Sequence, residues 1–159
     1  MKPINIIKLI SAIVICQLAG FIGSIFTTPA IAAWYASINK PSFNPPNWIF
    51  SPVWISLFVL MGIALYLVWK KGFKSKQVKI ASSAFGTQLF LNVIWSVLFF
   101  GLKSPFYAFI EICILWIAIM FTIIKFYKIS KIAAYLLLPY IIWVSFAAVL
   151  NFAIFWINL

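Results

Sequence analysis

The sequence predicts an all-α integral membrane protein, a single domain made of a bundle of five transmembrane helices. Of its 159 residues, 66% are hydrophobic and only 8% are charged, whereas soluble domains have about 45–50% apolar and about 25% charged residues. The apolar residues form five stretches that each reach about 20 residues, the length that crosses the hydrocarbon core as a helix. Helices are expected because a spanning segment must satisfy its backbone groups internally, and the sequence lacks the alternating segments of about ten residues that are typical of a membrane β-barrel.

Short connections separate the predicted helices, with one exception. The helices cover about residues 4–26, 47–69, 79–102, 105–127 and 131–157. The first stretch follows Lys2 and Lys8 as a signal peptide would, but its apolar run is longer than the roughly 7–15 residues of a signal core. We therefore predict that this stretch is kept as the first helix.

The exception is the connection of residues 27–46, TTPAIAAWYASINKPSFNPP. Connections of this length in compact domains are often lids or binding loops, and the aromatic residues make this one too apolar for a solvated linker. An aromatic belt at the membrane interface is one interpretation, and a lid packed over the bundle is the one that we favour. The residues assigned to the lid are Trp34, Lys40, Pro41, Pro45 and Pro46, and the prolines stiffen the chain.

Charge is distributed unevenly between the two ends of the predicted bundle. The chain has twelve lysines, no arginine, no histidine and one acid. Ten lysines lie at the N-terminus or in the connections after helices two and four, and two, Lys40 and Lys103, lie on the other side. The positive-inside rule then places the N-terminus in the cytoplasm, and we expect a bacterial cytoplasmic membrane. Because the lysines cluster between apolar stretches and arginine is lacking, we expect a lipid bilayer and no nucleic acid as partner.

The missing residue types exclude several kinds of chemistry. Without histidine, Ser–His and Cys–His catalysis and His-ligated metal or haem are excluded. Cys16 and Cys113 lie inside apolar runs, which is typical of thiols that fill a core. We therefore predict no metal site and no required cofactor.

Polar and aromatic residues share one layer of the predicted bundle. At about 1.5 Å per residue they lie about 9–16 Å below the outer ends of their helices, beneath the long loop, and Trp143 lies near the midplane. The layer contains Trp54, Asn92, Trp95, Glu111, Phe146 and Asn151. An apolar pocket between helices with a few polar groups is a common design of ligand site, and we predict one here.

Each of these residues also has a purely structural interpretation. Asn92 and Asn151 are suited to hydrogen bonds between helices, and Trp95 and Trp143 are suited to ordinary packing. Glu111 is the only acid. Because an unpaired charge inside a membrane is costly, Glu111 is either protonated and hydrogen-bonded or directed into a wet cavity.

The run Trp34–Trp54, WYASINKPSFNPPNWIFSPVW, resembles the signature loop and second helix of the TspO/MBR family. Further likeness lies in TQLFLNVIW of helix three, in the carboxylate of Glu111 in helix four, and in LLLPYIIWVSFA followed by LNF in helix five. The resemblance covers essentially the whole chain, and five helices of this length agree with the family fold.

This resemblance implies a receptor or sensor that binds porphyrins, such as protoporphyrin or haem, and benzodiazepine-type ligands in the predicted pocket. It also implies a role in tetrapyrrole regulation or transport, with the porphyrin as ligand rather than as required cofactor. By motif, the ligand-binding residues would be Tyr35, Trp54, Asn92, Trp95, Trp143 and Ala147, with Glu111 and Phe146 from the same layer. The residues after L-N-F, AIFWINL, contain no Arg or Lys, so we do not expect sterol binding through the motif of animal members.

Two other functions stay open beside binding. The resemblance extends to members that degrade protoporphyrin in light, for which Trp54 and Trp143 would be the redox-active catalytic candidates. Small multidrug exporters have four helices and an essential Glu in the first, whereas helix one here has no acid. We rank binding first, the enzyme second and the exporter third.

A homodimer is predicted on two grounds. The resemblance implies one, and small residues repeat four positions apart at Ala19/Gly23 and Gly20/Ser24 on helix one and at Ser83/Thr87 on helix three. Small residues at this spacing allow two helices to approach closely.

Overall fold

The computed structural model describes residues 3–159, and Lys2, which we counted with the cytoplasmic lysines, lies outside the described residues. Within them, five helices are long and apolar enough to cross a membrane, which confirms the predicted all-α fold. The elements are α1 (Pro3–Ala30), α2 (Asn47–Trp69), α3 (Lys76–Ser96), α4 (Pro105–Tyr127), α5 (Lys131–Tyr135) and α6 (Leu138–Ile157).

The first helix packs on α2 and α3, α3 packs on α4, and α4 packs on α6. The core lies between these faces, where Met61, Phe85 and Ile119 are almost completely buried. The outer surface of the bundle is apolar as well, with Ile117 exposed by 64% and Ile142 by 68%. A surface of this kind is stable against lipid tails rather than against water.

The long connection is shorter than we predicted, because the first helix does not end at residue 26. It runs to Ala30 and continues as a π-helical turn over Ile31–Tyr35, so that irregular backbone is confined to residues 38–46. Pro29 therefore lies inside the helix, and membrane helices tolerate proline where neighbouring groups satisfy the freed backbone.

The last span contains a break that we did not predict. It begins with α5, which Ser130 caps by accepting a hydrogen bond from the Ala133 amide at 3.3 Å. A turn at residues 136–137 then leads into α6, with Pro139 in its first turn. Proline is favoured in the first turn of a helix because its missing N–H has no intrahelical partner there. The two helices together form one span over Lys131–Ile157.

Two glycines bring α1 and α2 into close contact. A Cβ atom on Gly62 would lie 2.6 Å from the Cα of Ile13, and one on Gly20 would lie 2.6 Å from Cε2 of Phe58. A Cβ on Gly23 would lie 3.0 Å from the Ser96 hydroxyl oxygen. These glycines therefore pack within one chain, and the small-residue spacing on helix one does not support a dimer. The homodimer stays a prediction.

The loop of residues 38–46, which we call the outer loop, is fixed at both ends. The Lys40 ammonium donates to the carbonyls of Tyr35 at 2.7 Å and Ile38 at 2.9 Å, and it lies 5.1 Å from the centroid of the Tyr35 ring. The Tyr35 hydroxyl donates to Oδ1 of Asn44 at 2.6 Å. Lys40 thus satisfies carbonyls at the end of the first helix that no helical N–H can reach.

The end of the chain also holds the outer loop. The Asn39 amide donates to Oδ1 of Asn158 at 3.0 Å, and Nδ2 of Asn158 donates back to the Asn39 carbonyl at 2.9 Å. This pair joins the loop to the C-terminal end of α6. The outer loop is therefore anchored to both the first and the last span.

Replacing Gly62 by Ala should lower the thermal unfolding midpoint in detergent. The new methyl group meets the Ile13 backbone, which cannot rotate away, and overpacking of this kind costs about 1–3 kcal/mol. Gly86 is the matched control, because a Cβ there meets no atom within 4 Å. Gly86→Ala should leave the midpoint unchanged or raise it, since alanine favours the helix. Equal effects of the two changes would contradict this account of the α1–α2 contact.

Replacing Lys40 by Met should release the outer loop, because Met keeps the apolar stem but cannot donate to the two carbonyls. We expect faster amide hydrogen exchange over residues 38–46 and unchanged exchange in α4. Lys103→Met is the control, since Lys103 is an exposed lysine at the same end of the bundle. Slow exchange in the Lys40→Met loop would show that the prolines alone hold it.

Candidate ligand-binding site

A cavity of about 380 Å³ lies at the end of the bundle that carries the outer loop. Its walls come from residues 17–35 of the first span, 47–58 of α2, 92–100 of the third span and 143–154 of α6. These ranges place it in the half of the bundle where we predicted a pocket. The lining combines aromatic rings with hydroxyl and amide groups, as ligand sites commonly do.

Six of the eight residues that we assigned to ligand binding line this cavity: Tyr35, Trp54, Asn92, Trp95, Trp143 and Ala147. They come from four different spans, so the structure brings together residues that are far apart in sequence. Glu111 and Phe146 do not line it.

Trp54 and Trp143 supply two aromatic walls from α2 and α6. The Trp54 ring stacks on Phe58 with centroids 5.6 Å apart and meets Tyr140 edge-on at 6.3 Å. The Trp143 ring meets Phe50 edge-on at 6.0 Å. Among the described residues, the buried indole N–H of Trp143 has no hydrogen-bond partner. A buried donor without a partner is costly, and an acceptor on a bound molecule would remove that cost.

The amides of the lining serve hydrogen bonds between helices. Nδ2 of Asn92 donates to the Tyr140 hydroxyl at 3.1 Å, and that hydroxyl donates to Oε1 of Gln88 at 2.9 Å. The Trp95 indole N–H donates to Oδ1 of Asn151 at 3.1 Å. These residues therefore form hydrogen bonds between helices, as their structural interpretation predicted. Asn92, Trp95 and Asn151 also line the cavity.

Irregular helix geometry accompanies the cavity on two sides. The first span ends in the π-helical turn Ile31–Tyr35, and α3 continues into a second one over Val97–Gly101. Each turn places an aromatic side chain in the lining, Tyr35 from the first and Phe99 from the second, and the two rings lie 6.2 Å apart. Single π-helical turns are frequent at functional sites because they change which side chains face the interior.

None of the residues that we assigned to the lid lines the cavity. Four of them lie in the outer loop, and Trp34 lies in the π-helical turn before it. Trp34 packs edge-on against Phe99 at 5.5 Å. Lys40 holds the backbone as described above, and Pro41, Pro45 and Pro46 lie within the irregular segment. The loop nevertheless reaches the site, because Phe43 meets Phe146 edge-on at 6.4 Å and Phe146 packs beside Trp143 at 5.5 Å.

The expectation that Glu111 lines the pocket is wrong. It lies on α4, which contributes nothing to the cavity, and only 6% of the residue is exposed. No described residue donates to either of its carboxyl oxygens. Sequence position gives the depth of a residue along its helix but not its face, and the face of α4 that carries Glu111 is turned into the helix packing.

Sequence reasoning missed the contribution of the first helix. Gln17, Gly20, Ser24, Thr27, Thr28 and Ile31 all line the cavity. Their spacing of three or four residues puts them on one helix face, and a face of small and hydroxyl residues on an otherwise apolar helix was the available signal. Phe50, Phe58, Phe99 and Phe100 were also missed, because seventeen phenylalanines give no indication of which ones face a cavity.

Comparisons with known proteins agree with this architecture. The TspO/MBR family profile matches residues 12–157 of the chain. The tryptophan-rich protein TspO of Archaeoglobus fulgidus is 47% identical over 155 residues, which are 97% of this chain and 99% of that protein. The human translocator protein is 37% identical over 140 residues, 87% of this chain and 82% of its own length. The tryptophan-rich sensory protein of Cereibacter sphaeroides is 34% identical over 119 residues, 75% of this chain and 73% of its own length.

The family profile covers four of the five spans completely and most of the first. The quoted relatives share at least a third of their aligned residues with this chain over most of its length. With five apolar spanning helices, four of which line a cavity that contains tryptophans, the chain is an integral membrane protein and belongs to the TspO/MBR family.

Proposed function

We propose that the protein is a membrane receptor or sensor that binds porphyrins, protoporphyrin above all, in the cavity beneath the outer loop. The observation that carries the proposal is the position of Trp54 and Trp143 in the walls of one cavity inside the membrane. A flat aromatic macrocycle gains both from burial and from contact with aromatic faces. Benzodiazepine-type ligands, which also have flat apolar rings, would use the same walls.

The chemistry of the lining supports a metal-free macrocycle. No acidic side chain and no cysteine lines the cavity within the described residues, and the chain has no histidine. Within the described residues, Tyr35 is the only lining side chain of a type that ligates haem iron, and its hydroxyl already donates to Asn44. The Trp143 N–H, which has no partner among the described residues, is suited to an acceptor on the ligand, such as a carbonyl or carboxylate oxygen.

Light-dependent degradation of the porphyrin is the second candidate function. It is favoured by one observation, namely that both tryptophans line the same cavity and could reach the same ligand. The exporter is disfavoured because Glu111, the only acid, does not line the cavity. The names of the quoted relatives, translocator and sensory protein, agree with transport or sensing.

The cellular setting is part of the proposal. We propose a bacterial cytoplasmic membrane with the N-terminus in the cytoplasm, which places the outer loop and the cavity at the opposite face. The homodimer is proposed as well. The glycines of helix one pack inside the bundle, and of the small-residue pairs named in the sequence analysis only Ser83 and Thr87 are both exposed.

Changing Trp54 or Trp143 to Phe should weaken protoporphyrin binding several-fold. Phe keeps an apolar ring but has a smaller face and no N–H, and an aromatic contact is worth about 0.5–1.5 kcal/mol beyond burial. Quenching of tryptophan fluorescence during a protoporphyrin titration in detergent measures the change. Trp156→Phe is the control, because Trp156 is 65% exposed and outside the cavity. Equal loss in all three variants would place the porphyrin on the outer surface of the bundle.

The same samples distinguish binding from degradation. Under illumination, a receptor should show quenching with an unchanged porphyrin absorption spectrum, whereas an enzyme should form a new chromophore. Because phenylalanine is much harder to oxidise than tryptophan, Trp54→Phe and Trp143→Phe should abolish that chromophore rather than reduce it several-fold. A light-dependent product that survives both changes would exclude these tryptophans as the redox groups.

The proposed orientation predicts opposite labelling of two engineered cysteines in a Cys113→Ala background. A membrane-impermeant maleimide added to intact cells should label Ser42→Cys in the outer loop but not Ser75→Cys between α2 and α3. The physical reason is that ten lysines lie on the side of the N-terminus and two on the other side, and the positive-inside rule places the lysine-rich side in the cytoplasm. The reverse pattern would overturn the orientation and move the cavity to the cytoplasmic half.

A further inference from the structure

The cavity wall is incomplete on one side. The lining residues on the third span and on α6 are buried or half-buried, whereas several on the first two helices are exposed. Among these, Phe21 is exposed by 64% and Ile55 by 56%. The exposed lining residues are Phe21, Ser24 and Thr28 of α1 and Asn47, Ser51 and Ile55 of α2. The cavity therefore opens sideways, between α1 and α2.

The gap has a defined lower end. The helices are in close contact at Gly62 and Ile13 and again at Gly20 and Phe58. Nε2 of Gln17 also donates to the Ile55 carbonyl at 3.1 Å and ties α1 to the backbone of α2. No comparable contact joins Ser24 or Thr28 to α2 among the described hydrogen bonds.

The gap faces lipid over most of its length. Ile55 follows the start of α2 by eight residues, which is about 12 Å along a helix axis. One half of the hydrocarbon core is about 15 Å thick. The deep end of the gap is apolar, at Phe21 and Ile55, and the end near the membrane surface carries the hydroxyl and amide groups of Ser51, Thr28 and Asn47.

The side of the cavity that faces water is covered by the outer loop, unlike the side between α1 and α2. The outer loop is anchored by Lys40, by the bond from Tyr35 to Asn44, and by the reciprocal bonds of Asn39 with Asn158. Opening this side would break several hydrogen bonds at once, whereas the side between the helices is already open.

We propose that ligands enter and leave the cavity from the adjacent lipid leaflet, through the gap between the outer halves of α1 and α2. This inference rests on the cavity being the ligand site proposed above. It also specifies the class of ligand: a molecule that enters by this route must be an amphiphile that first dissolves in the leaflet. Such a molecule would enter with its apolar ring toward Phe21 and Ile55 and its polar groups toward Thr28 and Asn47.

A cysteine inside the cavity tests the route without any porphyrin. Ser96 lines the cavity from α3, so Ser96→Cys is made in a Cys113→Ala background and reconstituted in phosphatidylcholine vesicles. N-phenylmaleimide, which dissolves in the bilayer, should label it at a rate that follows the amount of maleimide per lipid. A charged thiosulfonate confined to water should label it more slowly.

Bulky side chains at the gap should block this labelling. Ser24→Trp on α1 and Ser51→Trp on α2 should each slow the maleimide reaction by about ten-fold or more, equivalent to about 1.4 kcal/mol on the barrier. Gly86→Trp on the open face of α3 is the matched control and should not slow the reaction. Thr87→Cys, exposed on α3, should be labelled equally in every background, which shows that the reagent reaches each sample equally. An unchanged thermal unfolding midpoint shows that the variants fold.

Locking the outer loop tests the alternative route, in which molecules enter the cavity from water. Asn39→Cys with Asn158→Cys, oxidised to a disulfide, joins the two groups that already contact each other, and labelling of Ser96→Cys should stay within two-fold. The proposal is overturned if the locked loop stops labelling, or if the charged reagent reacts faster than the maleimide. It is also overturned if neither tryptophan at the gap slows the reaction in a folded variant. The labelling experiment contains no porphyrin, so a negative result overturns the entry route without affecting the proposed porphyrin binding. Conversely, a failure to bind protoporphyrin does not change what the labelling shows about the entry route.

Discussion

The absence of water from the hydrocarbon core is the constraint on which the rest of this structure depends. A polar group placed there is costly unless it finds a partner in the chain or in a ligand, because no water is present to form the hydrogen bond. Asn92, Tyr140 and Gln88 form one chain of hydrogen bonds between α3 and α6, and Trp95, Asn151 and the Pro105 carbonyl form a second. Lys40 satisfies the helix end above them.

The same constraint separates structural from functional polar groups. Trp95 and Asn151 line the cavity but have their hydrogen bonds within the bundle, so they fix the shape of the wall. The Trp143 N–H differs, since it is buried in the wall without a partner among the described residues. In our account a ligand supplies that partner, and the aromatic faces around it supply most of the burial. Among the described residues, Nε2 of Gln88 and the carboxyl oxygens of Glu111 also lack a partner, but of these three residues only Trp143 belongs to the cavity lining.

The number and the approximate positions of the five apolar helices could be predicted from the sequence, because hydropathy and length determine which segments can cross a bilayer. It was also sufficient for the layer of the site, since depth follows from residue count. It was not sufficient for the faces of the helices, and Glu111 shows the difference: its depth is that of Asn151, but its side of α4 is packed away from the cavity. In a helix that is apolar all round, no amphipathic pattern marks the inner face.

Pro29 shows a second limit of sequence reasoning. Proline in the interior of a helix usually ends or kinks it in water, but in this bundle the helix continues past Pro29 to Tyr35. That continuation has a functional consequence, because it carries Thr28, Ile31 and Tyr35 to the cavity. The part of the chain predicted to be a separate lid is therefore partly the wall of the site itself.

The central claim is that the tryptophan-lined cavity is where the protein binds its ligand. An experimental structure of the protein in lipid with protoporphyrin bound tests it most directly. The account predicts the macrocycle inside the cavity, in contact with the rings of Trp54 and Trp143, with an acceptor atom within hydrogen-bond distance of the Trp143 N–H. A macrocycle held on the lipid-facing surface of the bundle, with the cavity unchanged and empty, would contradict it.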